Sequence, residues 1–279
     1  MRQEDFDLLA GVVKQRSGLV LGRDKAYLVE SRLMPLVRKW NLKDLEELSA
    51  QVRAKRDEKV MAAITEAMTT NETYFFRDLK PFDQFRKVVL PHLLKVRAAK
   101  KHIRIWSSAC STGQEAYSLA MILSEEAAKL AGWKVDIIGT DLSTEVVERA
   151  KLGIYNQFEV QRGLPVTLLI KYFQQNGDKW QINEKLREMA QFRLMNLLGD
   201  WGALGSFDVV FCRNVLIYFE PSTKTGILER ISDHLAPDGV LFLGGAEAVL
   251  NLTNRFKIVD AHKGLYVPAA CPADLWKAA

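Results

Sequence analysis

The residues with the clearest chemical potential are a small-residue turn and the carboxylate that follows it one helix later. Ser107-Ser108-Ala109-Cys110-Ser111-Thr112-Gly113 succeeds the apolar run Ile103-Arg104-Ile105-Trp106, and Asp141 closes a second buried-looking run, Val135 to Thr140. Between them the pattern predicts a helix from Gln114 to Leu130. Strand, tight turn, helix, strand and carboxylate make a nucleotide-binding β-α-β unit. Small residues let the backbone approach a ligand closely, and the helix start offers unpaired N–H groups. A carboxylate at the end of the second strand can accept both ribose hydroxyl protons. Its plainer reading is a charge at the start of the next helix, a place Ser143 can cap equally well. Of a Gly-x-Gly-x-x-Gly fingerprint only Gly113 remains, which disfavours a nicotinamide-dependent oxidoreductase.

Several elements must hold this unit in place. Residues 3 to about 69 read as helical throughout. Phe6, Leu9, Ala10 and Val13 fall at helical spacing, and Gly18 can end that first helix. Asp24 can cap a second helix that contains Pro35, and two shorter helices are expected near 43–53 and 57–69. We expect an all-helical N-terminal domain over 1–69. The segment 70–78 has three adjacent aromatics and no helical period, so it reads as a linker that packs into something. A helix from about Leu79 to Arg97 follows it. The remainder, 79–268, is expected to form an α/β domain, with a small inserted β-subdomain at about 153–195. Asn176-Gly177 between alternating residues marks a hairpin there. Phe207 to Cys212 is a continuous apolar strand of the kind buried on both faces. Phe256 to Val259 and Gly264 to Val267 suggest a closing antiparallel hairpin, and the tail 269–279 is expected to be loose. A mostly parallel sheet finished by such a hairpin is the arrangement of class I, Rossmann-like methyltransferases.

Composition sets outer bounds. In 279 residues, 48% hydrophobic and 26% charged content suit a soluble globular protein with a substantial core. The net charge of +5 permits an acidic partner without requiring nucleic acid. Cys110, Cys212 and Cys271 are too few and too far apart for a disulfide framework or a zinc site, and no metal is expected. The charged start, Met1-Arg2-Gln3-Glu4-Asp5, lacks the apolar core of a signal peptide, and no apolar run approaches the roughly 20 residues that span a bilayer. A cytoplasmic protein with no direct membrane insertion is the expectation.

Three segments together resemble one family, the CheR-type chemotaxis receptor methyltransferases. They are Thr70-Asn71-Glu72-Thr73-Tyr74-Phe75-Phe76-Arg77-Asp78, the stretch from Trp106 to Ala120, and Phe207-Asp208-Val209-Val210-Phe211-Cys212-Arg213-Asn214-Val215-Leu216-Ile217-Tyr218-Phe219. The resemblance spans nearly the whole chain. It departs at Ala109, Gln114 and Ala116, where the family commonly has Gly, Glu and Pro. It implies that S-adenosylmethionine is the cofactor, S-adenosylhomocysteine the product, and glutamate side chains of bacterial chemoreceptors the substrate. A glutamate carboxylate is already ionised at neutral pH, so attack on a sulfonium methyl needs no general base. Positioning and a shaped, water-poor site then supply most of the acceleration.

By that resemblance Asn71, Thr73 and Arg77 contact the cofactor, with Arg77 beside the reacting groups. Ala109, Ser111 and Gly113 cradle its methionine side, Glu115 reaches the ammonium, and Asp141 takes the ribose. Asn196 and Leu197 frame the adenine, Arg213 and Asn214 contact the cofactor, and Tyr218 lines the methyl-transfer site. Competing readings are a domain joint for the linker, a dipole-favourable charge for Glu115, a helix cap for Asn214 and plain core for Leu197. Cys110 is expected to be a small hydrophobe.

Arg23, Lys25, Arg32, Arg38 and Lys39 gather on and just before the second helix and are expected to dock the acidic receptor methylation helix. The inserted hairpin is compact, so binding of a receptor C-terminal pentapeptide is not expected. A monomer that does not bind nucleic acid is expected. Alternatives are a nucleic-acid or other protein methyltransferase of the same fold, and a catalytically silent cofactor-binding regulator. The absence of an [Asp/Asn]-Pro-Pro-[Tyr/Phe] element near Asn214 weighs against base methylation.

Overall fold

A computed structural model describes residues 1–202, 204–260, 262–272 and 275–276. The chain divides into two units, one formed by Met1–Thr70 with Tyr218–Thr223, the other by Asn71–Ile217 with Lys224–Ala279.

The first unit is helical. Helix α1 (Gln3–Ser17) ends where Gly18 turns to φ +77° and its N–H reaches the Lys14 carbonyl, the glycine-ended stop its sequence predicts. Helix α2 (Ala26–Lys39) follows a 3-10 turn over Arg23–Lys25. Asp24 lies inside that turn and does not cap α2, because a backbone bond from the Lys25 N–H to the Gly22 carbonyl closes the entry instead. Helices α3 (Leu45–Lys55) and α4 (Glu58–Met68) are capped by the Asp44 and Asp57 carboxylates, which accept the Glu47 and Lys59 N–H groups. Leu9, Val13, Val29, Leu33, Leu48 and Ile64 close the core, and the Tyr218 ring packs against it. The segment 218–223 thus belongs with the helices, although the sequence places it in the α/β domain.

The second unit opens with α5 (Lys80–Gln84) and α6 (Leu90–Val96), joined by a π-helical turn over Phe85–Val89. Strand β1 (His102–Ser107), helix α7 (Gln114–Glu125), strand β2 (Lys134–Asp141) and helix α8 (Thr144–Leu152) follow. The side chain of Ser143 caps α8. The inserted subdomain comes next: β3 (Ile154–Asn156), α9 (Gln157–Gln161), α10 (Val166–Tyr172), β4 (Phe173–Asn176), β5 (Lys179–Ile182) and α11 (Glu184–Met189). Its three strands pair antiparallel in the order β3-β5-β4, and the two-residue turn Gly177-Asp178 joins β4 to β5.

The insertion is shorter than expected. Ala190–Leu194 forms β6, which pairs parallel with β2 in the main sheet, so the subdomain closes at Met189. Strands β7 (Phe207–Cys212), β8 (Leu235–Leu243), β9 (Phe256–Ile258) and β10 (Leu265–Pro268) complete that sheet, and α12 (Pro221–His234) precedes β8. Every residue of β7 is buried, as expected for a central parallel strand. Asp208 is tolerated there because Arg97 Nε and the Arg104 N–H both donate to it. The spatial order is β6-β2-β1-β7-β8-β10-β9, with β10 antiparallel to both of its neighbours. This is the mostly parallel class I sheet with an antiparallel end that the sequence predicts. From β1 the chain runs outward through β2 to β6 and then crosses back to β7 on the other side of β1, so the switch point lies at the carboxyl ends of β1 and β7, where open α/β sheets bind ligands.

The tail is not loose where it is described. Cys271 and Trp276 are buried, and the Trp276 ring lies 4.2 Å from that of His92. An indole buries enough apolar surface to hold a terminal segment that composition alone reads as free.

Candidate functional site

The loop after β1 is shaped by its backbone. Its Cys110 N–H donates to the Thr140 carbonyl, Ser111 sits at φ +49° and Gly113 at φ +94°. A Cβ on Gly113 would lie 3.0–3.2 Å from Ala150, Tyr117 and Phe192 side chains, so glycine is required by both dihedral and space. Helix α7 then starts without a side-chain cap, leaving its first-turn N–H groups facing the loop.

Asp141, half-buried at the end of β2, is aimed by two backbone donors. The Ser111 N–H reaches Oδ2 at 2.8 Å and the Ser143 N–H reaches Oδ1 at 3.2 Å. A carboxylate has acceptor directions for about four hydrogen bonds. The loop after β6 meets the same strand end, since the Met195 N–H donates to the Asp141 carbonyl at 2.8 Å. Asn196 forms an Asx turn there with the Leu198 N–H, and Leu197 is buried.

The aromatic linker is bound into this unit at every step. Asn71 accepts the Ser111 hydroxyl at its carbonyl, 2.7 Å away. The Phe76 N–H donates to the Ser118 hydroxyl at 2.9 Å, and buried Phe75 lies edge-on to Tyr155 and Phe173. Arg77 is half-buried, and its Nη1 donates to the Glu72 carbonyl at 2.7 Å. Arg77 and Arg162 both lie over the Tyr74 ring, at 5.7 and 4.3 Å from its centroid. The Arg162 guanidinium, hydrogen-bonded to Glu72, holds that carboxyl below its ordinary range. Thr73 lies half-buried between them in sequence.

Arg213 differs from the expected cofactor contact. Its side chain is only 1% exposed and serves the protein itself. Nη1 donates to Glu115 Oε2 at 2.7 Å, while Nη2 donates to the Arg77 carbonyl and to Asp78 Oδ2, each at 2.8 Å. Glu115 also accepts the Ser107 hydroxyl at 2.8 Å. Arg213 therefore clamps the linker to α7, and Glu115 spends its charge on that clamp. The guanidinium fork reaches three acceptors at once because it is planar and rigid. Its Nε is buried with no hydrogen-bond partner among the described residues.

Positive φ angles at non-glycine residues concentrate here: Phe76, Asp78 and Leu79 in the linker, Ser111 in the loop and Asn214 after β7. Each such residue costs of order 1–3 kcal/mol and persists only where its surroundings over-determine it. Cys110 is the small buried hydrophobe that was expected. Burial, with the charges of Asp141 and Glu115 behind it, pushes its thiol well above the ordinary range, the setting of a packed cysteine.

Parts of the three motif segments, Asn71–Asp78, Trp106–Ala120 and Phe207–Ile217, thus meet in the second unit around the carboxyl ends of β1, β2 and β7. Residues 71–265 match the SAM binding domain of the CheR methyltransferases, and residues 4–69 match their all-alpha domain. The chain belongs to the CheR methyltransferase family. It is 42% identical to chemotaxis protein methyltransferase 1 of Pseudomonas aeruginosa over 265 residues, which is 94% of this chain and 96% of that one. Chemotaxis protein methyltransferase Cher2 of Pseudomonas putida is 38% identical, covering 95% of this chain and 98% of its own. The chemotaxis protein methyltransferase of Salmonella typhimurium is 34% identical, over 91% and 86% respectively. As a CheR methyltransferase the chain is an S-adenosylmethionine-dependent enzyme, as the resemblance of its three motifs implies.

Two of the expected residues belong to the helical unit. Tyr218 is in the helical unit, against its core. Arg32 is not a free docking cation: its Nη1 donates to the Met68 and Thr69 carbonyls at 2.8 and 2.9 Å, and its Nη2 to the Thr70 hydroxyl. It satisfies the carbonyls exposed where α4 ends, a need that any helix terminus creates. Of the other basic residues, Lys25, Arg38 and Lys39 are exposed, and Arg23 makes an exposed 3.2 Å pair with Asp7. Glu247, whose carboxylate accepts the Asn214, Val215 and Gly244 N–H groups, carries no sequence signal. The nearest hint is Gly244 at the end of β8, three residues before it.

Among the described residues no helix is long and apolar enough to cross a membrane.

Proposed function

We propose that this protein transfers the methyl group of S-adenosylmethionine to glutamate side chains of bacterial chemoreceptors in the cytoplasm, acting as a monomer. The observation that carries the reading is the convergence of the linker, the Ser107–Gly113 loop and the Arg213–Asn214 segment on the sheet's switch point. The residues present fit the cofactor. A carboxylate past β2, an uncapped α7 start and a small-residue loop offer the acceptor, donors and close backbone approach that a charged nucleoside needs.

In this reading Asp141 holds the ribose hydroxyls, and Asn196 and Leu197 frame the adenine. Ala109, Ser111 and Gly113 let the backbone lie close to the methionine portion. Asn71, Thr73 and Asn214 add polar contacts. When bound, S-adenosylmethionine supplies a methyl group on a positively charged sulfur, open to in-line attack by an anion. Arg77, with its always-charged donor fork, holds the incoming carboxylate, and Tyr218 offers a hydroxyl donor. Glu115 and Arg213 act as the clamp that keeps Arg77 in place. No residue is asked to remove a proton, since the substrate carboxylate is already ionised at neutral pH.

The test uses the product's chemistry. Incubated with methyl-labelled cofactor and a chemoreceptor signalling domain, the protein should deposit label that alkali releases as methanol. Carboxyl methyl esters behave so, while methylated amines and bases do not. Label that resists alkali, or none on several receptors, would overturn the assignment.

Lys25, Arg38 and Lys39, with Arg23, are proposed to meet the acidic methylation helix of the receptor. We do not assign the inserted hairpin a receptor-pentapeptide site. Reversing Arg38 and Lys39 to glutamate should raise the KM for receptor about fivefold to tenfold, as roughly 1 kcal/mol of rim electrostatics is lost and reversed. Cofactor affinity should stay as it is. An unchanged KM at low salt would remove this surface from the docking role.

A further inference from the structure

Glu247 stands outside the three motifs, yet its carboxylate gathers four backbone N–H groups. Oε2 accepts from Asn214 at 2.8 Å and from Gly244 at 2.7 Å. Oε1 accepts from Val215 at 2.9 Å and from Ile217 at 3.3 Å. Three of these donors belong to the segment that leaves β7, which makes an irregular turn with Asn214 at φ +59°. N–H groups of such a turn converge on one point and together favour an anion there. Glu247 is that anion, supplied from the end of β8. The two strand ends approach closely: a Cβ on Gly244 would lie 2.6 Å from Glu247 Oε2, 2.9 Å from Asn214 N and 3.0 Å from its Nδ2.

We propose that Glu247 is a positioning residue for methyl transfer, fixing the Asn214–Ile217 turn so that the carboxyl end of β7 is preformed for the cofactor. The inference rests on the reading that Asn214 lies against that cofactor. A carboxylate is required because all four partners are donors. Glutamine keeps the shape but replaces one acceptor oxygen with an NH2 group, which faces N–H groups it cannot satisfy. The effect belongs to the ligand-binding step: without its anion the turn samples other conformations, and only the fraction in the competent one binds.

Glu247→Gln should weaken S-adenosylhomocysteine binding at least tenfold by calorimetry. It should also speed amide hydrogen exchange over 213–217 while leaving exchange in β1 and β2 unchanged. Activity should fall mainly through the KM for cofactor, with kcat at saturation much less affected. Glu247→Asp, which keeps the charge but withdraws it by one methylene, should lie between the two and covers the case in which the glutamine variant does not fold. Affinity within twofold of the parent in either variant, with exchange over 213–217 still slow, overturns the positioning role. Asn214→Ala, measured beside them, separates the two claims: full affinity there removes the contact assigned to Asn214 and leaves the Glu247 result to be read on the turn's backbone alone.

Discussion

Arg213→Met should destabilise the second unit by about 3–5 kcal/mol and abolish measurable methyl transfer. The size follows from what is left behind. Glu115 is 12% exposed and would lose its 2.7 Å partner, leaving a buried carboxylate with only the Ser107 hydroxyl and the favourable start of α7. Removing one member of a buried pair costs in this range because the survivor stays desolvated. The Arg77 carbonyl and Asp78 lose a donor in the same stroke, so the strained turn at Phe76–Leu79 is released along with the charge. Arg213→Lys keeps the charge but cannot fork to three acceptors, and should recover part of the stability with little of the activity. Calorimetric unfolding decides it: a loss below about 1 kcal/mol in Arg213→Met would mean the clamp does not hold the linker. Glu115→Gln combined with Arg213→Met should be more stable than Arg213→Met alone, since the carboxylate left without its guanidinium is then only the 42% exposed Asp78.

The clamp also shows where sequence reading reaches its limit. Gly113, Asp141 and the strand–turn–helix order are legible because backbone conformation and hydrophobic period are local properties. The aromatic linker is legible by contrast, since three adjacent aromatics are the wrong composition for a solvated joint. The partners of Arg213 are not legible. Glu115 lies 98 residues away, and whether a guanidinium meets a ligand or a buried carboxylate depends on which elements the sheet order brings together. Arg32 fails for the same reason. Its spacing on α2 fits a basic face, while its bonds go to the end of α4 some 36 residues on. Ala190–Leu194 is a short edge strand whose alternation matches an antiparallel insertion as well as a parallel sheet, and only its pairing with β2 settles the matter. Glu247 is the extreme case, because three of its four partners are backbone N–H groups about thirty residues away, which leave no mark in side-chain pattern.

These long-range ties share a consequence: the site is built by holding a strained linker in place. The inserted subdomain supplies part of that hold. Tyr155, from β3, donates its hydroxyl to the Thr112 carbonyl in the loop after β1 while its ring packs on Phe75. Arg162 covers Tyr74 from the opposite end of α9. The insertion thus supports the linker and the loop together.

Gly163→Ala should therefore damage catalysis from a position that bears no functional group. Gly163 sits at φ +80°, and a Cβ there would fall 2.1 Å from the Phe75 carbonyl oxygen and 3.0 Å from the Tyr74 ring. The dihedral alone costs an alanine about 1–2 kcal/mol. The overlap adds about 1–3 kcal/mol, because its partner is backbone that cannot rotate away and Phe75 is locked between Tyr155 and Phe173. The linker or the Arg162–Gly163 turn must shift, and either movement separates Arg162 from Tyr74 and loosens the Glu72–Arg77 bond. We expect kcat/KM to drop by at least two orders of magnitude, since a misplacement of about 1 Å at a positioning group can cost a hundredfold. Gly177→Ala is the matched control: its φ is +61°, but nothing lies within 4 Å of the added carbon. It should show the dihedral cost as a small fall in stability and leave turnover unchanged. Equal activity in the two variants would show that the linker does not need the insertion to hold Arg77.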